Sequence, residues 1–235
     1  MLDLYLLIPA TALVALLVGI VMRPRRYYFI RHGETVMNAT HIRQGEEGGL
    51  TEKGQHQAQK VGESLKGLHI KRIISSSYQR ARETTESINE YLHVPVTYSP
   101  LFGERRNPKE IIGRSVDDPE VVRIVDQMDL AYHEDDFRIS DEENFIDLKA
   151  RAKKGLEFLG RQSGRNVVLV THHHFLKMLI AYLLYRDNLH ASDFVKLSFF
   201  NYSDNAAVTI CEYHPWRMFG KTRGWEVVAF NEHAA

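Results

Sequence analysis

The sequence predicts an α/β fold in which a largely parallel sheet is covered by helices. Two observations carry this. Short apolar runs alternate with longer amphipathic ones along the body of the chain, the pattern that βα units leave in a sequence. One run, Val167-Val168-Leu169-Val170, is apolar at every position, as suits a strand buried on both faces. Composition agrees: of 235 residues, 44% are hydrophobic and 26% charged, which fits one globular domain plus an appendage. Thirty Lys and Arg balance thirty Asp and Glu, so no net field draws the chain to nucleic acid. The single cysteine, Cys211, excludes an internal disulfide framework and reads as a small buried hydrophobe beside the run 206–210.

The appendage comes first. Residues 4–22 are apolar apart from Thr11 and carry no charge, a length that suits a bilayer-crossing helix of about 20 residues. Arg23, Arg25 and Arg26 follow at once. By the positive-inside rule this basic flank stays in the cytoplasm, so residues 1–25 form a single N-terminal transmembrane anchor with its start outside. A cleaved signal peptide would carry its positive charge ahead of the apolar run and small residues behind it. Residues 26–235 form the cytoplasmic domain. Strands are expected over 27–31, 72–75, 96–98, 167–171, 206–212 and 225–230. Helices are expected over 51–65, 79–91, 121–130, 144–162 and 174–185. In the first helix Ala58, Val61 and Leu65 recur near helical spacing, Thr51 suits the N-cap, and Gly54 weakens the first turn. The stretch 99–143 stands apart, with Pro100, Pro108 and Pro119, clustered charge and little periodicity; Arg105, Arg106, Lys109 and Arg114 read there as a solvated face. No repeat or low-complexity linker marks a second soluble domain.

The chemistry begins at Arg31-His32-Gly33-Glu34-Thr35, which closes the first strand. A strand ending in Arg-His-Gly sets an imidazole beside a fixed positive charge at the rim where open α/β sheets bind ligands. Histidine can attack phosphorus at neutral pH, and a neighbouring guanidinium both grips phosphate oxygens and disfavours protonation of the ring. Three further segments supply context: Ser75-Ser76-Ser77-Tyr78-Gln79-Arg80-Ala81-Arg82-Glu83-Thr84 after a second strand, Leu101-Phe102-Gly103-Glu104-Arg105-Arg106, and the apolar strand that ends at Thr171-His172.

With these four motifs in this order, the chain from about Tyr27 onward resembles the histidine phosphatase superfamily, the phosphoglycerate mutase-like proteins. The resemblance implies a three-layer α/β/α sandwich with its site at the carboxyl edge of the sheet and 99–143 as a lid-like insertion. It makes His32 the nucleophile that forms a phosphohistidine and Glu104 the proton donor to the leaving group, with Glu110 its nearest rival. His172 joins them as a third catalytic residue and phosphate contact. Arg31, Arg80, Asn38, Gly33, Thr35 and Gln44 fall at substrate-binding positions. Arg82 lies two residues from Arg80 and faces another way on a helix, which leaves it for a salt bridge. Neither a metal nor an organic cofactor is called for, because fixed cations and N–H donors can answer the charge on a transferring phosphoryl group.

Two departures from the family stand out. His172 is followed by His173 and His174 where the family usually has glycines, which adds bulk or titratable groups to the pocket. Three consecutive histidines point in different directions and cannot converge on one metal ion. The loop 44–51 lacks the tryptophan common there in true mutases, which favours a phosphatase. The expected activity is therefore hydrolysis of a phosphomonoester. A mutase-type phosphotransferase and a non-catalytic phosphate-binding scaffold are the alternatives.

Overall fold

The computed structural model describes Ala12 and residues 23–131, 134–200, 203–217 and 224–234, with only the backbone over 198–200. Apart from Ala12, the apolar segment 4–22 lies outside the described residues. Among the described residues no helix is long and apolar enough to cross a membrane.

The elements follow in order: β1 (Arg25–Arg31), α1 (Val36–Ala39), α2 (Glu52–Ser64), β2 (Arg72–Ser75), α3 (Gln79–Leu92) and β3 (Val96–Tyr98). After them come α4 (Pro119–Leu130), α5 (Phe145–Gly160), β4 (Asn166–Thr171), α6 (His173–Tyr185), α7 (Ala191–Phe200), β5 (Val208–Tyr213) and β6 (Trp225–Glu232). Thr51 caps α2 by accepting the Gly54 N–H, and Asn144 caps α5 in the same way through the Asp147 N–H.

The strands form a six-stranded sheet in the order β3-β2-β4-β1-β5-β6. β3, β2, β4 and β1 are mutually parallel, whereas β5 runs antiparallel to β1 and β6 antiparallel to β5. The expected largely parallel sheet is thus a mixed one. The cause is α7 and the segment before it, an element not expected from the sequence. After α6 the chain climbs back along α5, where Lys149 donates to the Leu189 carbonyl at 2.7 Å and Lys153 pairs with Asp187 at 2.9 Å. By Ser203 it is beside Arg31 at the carboxyl edge, so β5 descends antiparallel to β1.

Alternation along the buried strands sorts the core into two layers. Tyr27, Phe29, Val167, Leu169 and Cys211 pack against α5 and α6 on one face. Tyr28, Ile30, Ile73, Val168 and Val170 pack against α2 and α3 on the other. Helices on both faces complete the three layers. Burial pushes the Cys211 thiol well up from its ordinary range, in line with a packing residue. The 99–143 stretch has a small core of its own, Ile111, Val121 and Ile124. It is tied to the loop after α1 by Arg43 N–H to Arg114 O and Val116 N–H to His41 O, both 2.9 Å.

Candidate active site

Four strand and helix ends converge at the carboxyl edge of the sheet. β1 delivers Arg31 and His32, β4 delivers His172, β2 leads into Ser76, and the first turn of α3 presents Arg80. His32, Arg80 and His172 are all but excluded from solvent. The backbone N–H of His32 donates to the Thr171 carbonyl at 3.0 Å, so the neighbouring strands fix the two segments side by side.

The ring of His32 has one possible proton arrangement. Its Nδ1 lies 2.8 Å from the Gly33 carbonyl, which can only accept, so Nδ1 carries the hydrogen and Nε2 keeps the lone pair. Arg80 Nε donates to that Nε2 at 3.2 Å and to Nδ1 of His172 at 3.2 Å, one N–H shared between two rings. Nδ1 of His172 is therefore an acceptor, and its Nε2 donates to Ser76 Oγ at 2.8 Å. For His172 to donate to a phosphate oxygen, Nδ1 would have to gain a proton. Burial first, then the guanidiniums of Arg80 and Arg31, hold His32 well below the ordinary imidazole range. Burial and Arg80 do the same to His172. Arg80, desolvated, is lowered to about 10 and stays charged at neutral pH. Its Nη1 donates to the Gly45 carbonyl at 2.7 Å, which ties loop 44–51 to the floor of the site.

The remaining sequence-predicted residues divide between floor and frame. Arg31 donates through Nη1 to the Ser203 carbonyl at 2.5 Å. Gly33 is a packing residue: a Cβ there would stand 2.5 Å from the Gly54 carbonyl oxygen, and one on Gly54 would overlap the Glu34 carbonyl. Gly54, expected only to weaken α2, is thus required by the close approach of α2 to the His32 loop. Thr35 and Asn38 form a capping box on α1, and the Thr35 hydroxyl donates to Gln44 Oε1 at 2.9 Å. The Gln44 amide nitrogen in turn donates to the carbonyls of Glu47 and Gly48. Thr35 and Gln44 shape the loop, and of this group Asn38 keeps an amide nitrogen with no hydrogen bond among the described residues. Arg82 lies with its guanidinium 4.3 Å from the centre of the Tyr98 ring, and among the described residues it makes no ion pair, in place of the expected salt bridge.

Glu104 reaches the site from the 99–143 stretch. Its two oxygens accept three backbone N–H groups: Arg105 at 2.8 Å, Phe175 at 3.1 Å and His174 at 3.2 Å. Two of these donors are the free N–H groups at the start of α6, where a carboxylate is favoured. The rival, Glu110, accepts the Ser140 hydroxyl at 2.8 Å on the surface instead. Of the basic residues expected as a solvated face, Arg106 and Lys109 are exposed and Arg114 pairs with Asp118 at 2.7 Å. Arg105 turns inward, its Nε donating to the Glu143 carbonyl at 3.3 Å.

Four contributors were not singled out from the sequence. Thr84 accepts the Gly33 N–H at 3.0 Å. Asn205 donates to the His32 carbonyl at 3.0 Å and to Asn38 Oδ1 at 3.3 Å. Tyr78 packs its ring 5.0 Å from that of His172. Arg151 donates to the carbonyls of Leu101 and Gly103 and pairs through two 2.6 Å contacts with Glu143, which secures the segment that carries Glu104. None of these had a local signal except Tyr78, which stands two residues before Arg80.

The histidine triplet points three ways. His172 faces Arg80 and Ser76, His173 lies 3.2 Å from the Ser203 carbonyl, and His174 lines a cavity of about 470 Å³ with Arg105, Asp129, Phe137, Phe145 and Lys177. His173 and His174 are each lowered to about 3, by burial above all.

A family model for the histidine phosphatase superfamily, branch 1, matches residues 27–227. The chain is similar to the probable phosphoglycerate mutase GpmB of Salmonella arizonae, with 31% identity over 159 residues, 67% of this chain and 74% of that protein. Shorter matches at 40% identity cover 36% of the corresponding protein of Erwinia tasmaniensis and 40% of an uncharacterised phosphatase, PhoE, of Bacillus subtilis. Among solved structures, a mycobacterial glucosyl-3-phosphoglycerate phosphatase superposes with a TM-score of 0.70 at 25% identity, covering 89% of this chain and 100% of that one. With the family model spanning most of the chain and the motifs meeting at one sheet edge, this protein belongs to the histidine phosphatase superfamily.

Proposed function

We propose that the protein is a phosphomonoesterase that works through a phosphohistidine on Nε2 of His32. One observation carries this reading: the lone pair of a buried, neutral His32 is aimed at Arg80, with its other nitrogen locked onto the Gly33 carbonyl. A substrate phosphoryl group drawn to Arg31 and Arg80 meets that lone pair in line. The P–N bond forms as the bond to the leaving oxygen breaks. Glu104, held by backbone N–H groups of Arg105, His174 and Phe175, hands that oxygen a proton. Once deprotonated, it takes a proton from the water that attacks phosphorus, the P–N bond breaks, and His32 recovers its lone pair. Fixed guanidiniums take up the charge that spreads over the equatorial oxygens, so the step needs no metal.

The test is hydrolysis of p-nitrophenyl phosphate by the full chain, with and without chelator. Turnover that survives chelation, with an acid-labile, base-stable phosphoenzyme absent from His32→Ala, supports the reading. Bound phosphate without turnover of any phosphoester would leave the scaffold alternative. The similarity to a probable phosphoglycerate mutase favours one further reading, in which the phosphohistidine passes its group to an acceptor alcohol. Product analysis with an added diol separates transfer from hydrolysis. The absence of a tryptophan from loop 44–51 favours water as the acceptor. The same proposal keeps residues 4–22 as a membrane anchor with the catalytic domain on the cytoplasmic side, and protease protection in sealed vesicles tests that placement.

A further inference from the structure

The edge of the sheet opposite His32 carries a second, chemically distinct surface. β1, β2 and β4 all start there, β5 ends there and β6 begins there, as the registers Arg26↔Asn166, Arg72↔Val167 and Tyr213↔Trp225 require. The turns that join these elements bring Arg26, Lys66, Lys71, Arg161, Arg165 and Arg217 to the surface, all exposed. Two acidic residues on this edge are already engaged: Glu212 pairs with Arg26 at 2.5 Å and Glu226 with Arg217 at 3.3 Å. Among the described residues Lys71, Arg161 and Arg165 make no ion pair. Further along the same edge, just after β5, Trp216 is 44% exposed and packs edge-on against His214. The polypeptide enters the domain on this same edge, at Arg23, directly after the apolar stretch 4–22.

We propose that this edge is a docking surface for an anionic lipid bilayer, and that it holds the catalytic pocket facing away from the membrane. Clustered Lys and Arg next to an apolar segment are drawn to the negative surface of a bilayer, and an exposed Trp suits the headgroup zone. The seven residues of β1 then separate the lipid-facing edge from His32 by roughly 20 Å, at about 3.3 Å per residue. A phosphomonoester headgroup of the same membrane cannot reach the site across that span. The substrate is therefore a water-soluble phosphomonoester, a step that rests on the phosphatase reading, whereas the docking surface does not.

The two tryptophans make a direct test possible, because Trp225 is 4% exposed and acrylamide reports Trp216. The full chain is added to vesicles of phosphatidylcholine alone or with 30% phosphatidylserine. The expected result is that phosphatidylserine shields Trp216 from acrylamide, that W216F abolishes the change, and that 0.5 M salt reverses it. Each surface cation shifts docking by roughly fivefold, so the triple variant K71E/R161E/R165E should show no shielding while hydrolysing p-nitrophenyl phosphate normally. Equal quenching in both vesicle types, or shielding that survives the triple variant, overturns the docking surface. Release of phosphate from phosphatidate added to the phosphatidylserine vesicles overturns the orientation, even with Trp216 shielded. If no phosphoester of any kind is hydrolysed, the phosphatase reading fails while the Trp216 result still decides the surface.

Discussion

The floor of the site and its wall are built by different means. His32, Arg80 and His172 sit at the ends of β1, α3 and β4, buried where those elements meet. Glu104 sits on an irregular segment and is held in place by the start of α6 and by the Arg151–Glu143 pair. The floor is rigid because strands and a helix cannot move without breaking the core. The wall is rigid only as long as a few hydrogen bonds last. A reaction that needs both should be most sensitive to the chemistry of the floor and more gradually sensitive to the wall.

His32→Ala tests the floor at its limit. With the proposed nucleophile gone, turnover of p-nitrophenyl phosphate should fall to the uncatalysed background and no phosphoenzyme should form. Glu104→Gln should be slower by about 100- to 10,000-fold, the usual scale for a lost acid–base group, and most severe for substrates with poor leaving groups. If Glu104→Gln were as inactive as His32→Ala, even with p-nitrophenol as leaving group, the distinction between floor and wall would be erased. Arg80→Lys comes next. A lysine keeps the charge but cannot reach two ring nitrogens and a carbonyl with one planar fork, so a loss of roughly 100-fold in kcat/KM is expected, read from initial rates.

What could be read in the sequence follows the same division. The floor was legible because strand ends announce themselves: Tyr27-Tyr28-Phe29-Ile30 and Val167-Val168-Leu169-Val170 are apolar runs, each followed by a histidine at the rim. Arg80 was legible once a strand and a helix could be placed on either side of it. Glu104 came from the family pattern alone, since its neighbours have no periodicity. Arg151 and Asn205 were invisible because the site groups they hold, the 101–104 carbonyls and those of His32 and Asn38, lie 47 to 50 and 167 to 173 residues away. The mixed sheet was missed for a related reason. Nothing local in 186–203 says that the chain climbs back before entering β5, and without that climb a parallel strand is the natural expectation.

Arg151 gives the comparison a sharper edge because its hydrogen bonds go to the wall and none goes to His32, Arg80 or His172. Removing it alone strands the Glu143 carboxylate, whose side chain is 12% exposed, so E143Q/R151M is the better variant. The double variant should lower kcat by about tenfold through displacement of Glu104, while inhibition by inorganic phosphate, which reads the floor, changes less than about twofold. A merely structural effect would weaken both together, along with the thermal midpoint.

Acid stability separates the two regions by the smallest effect, and the sign can be worked out. His32 and His172 on the floor, and His173 and His174 beside the wall, are all depressed from the ordinary imidazole value, the last two to about 3. Once unfolded, each takes up a proton as pH drops below about 6.5. Unfolding then binds protons that the folded chain refuses, so stability is intact above pH 6.5 and is lost as pH falls from there toward about 3. Each such histidine contributes at most about 1.4 kcal/mol per pH unit to the slope. His173→Gly and His174→Gly should each flatten the fall of the urea midpoint between pH 6 and pH 4.5 and leave a phosphoenzyme forming at His32. The floor histidines should flatten the same slope only at the cost of turnover, so an acid-resistant and fully active variant can come from the wall alone.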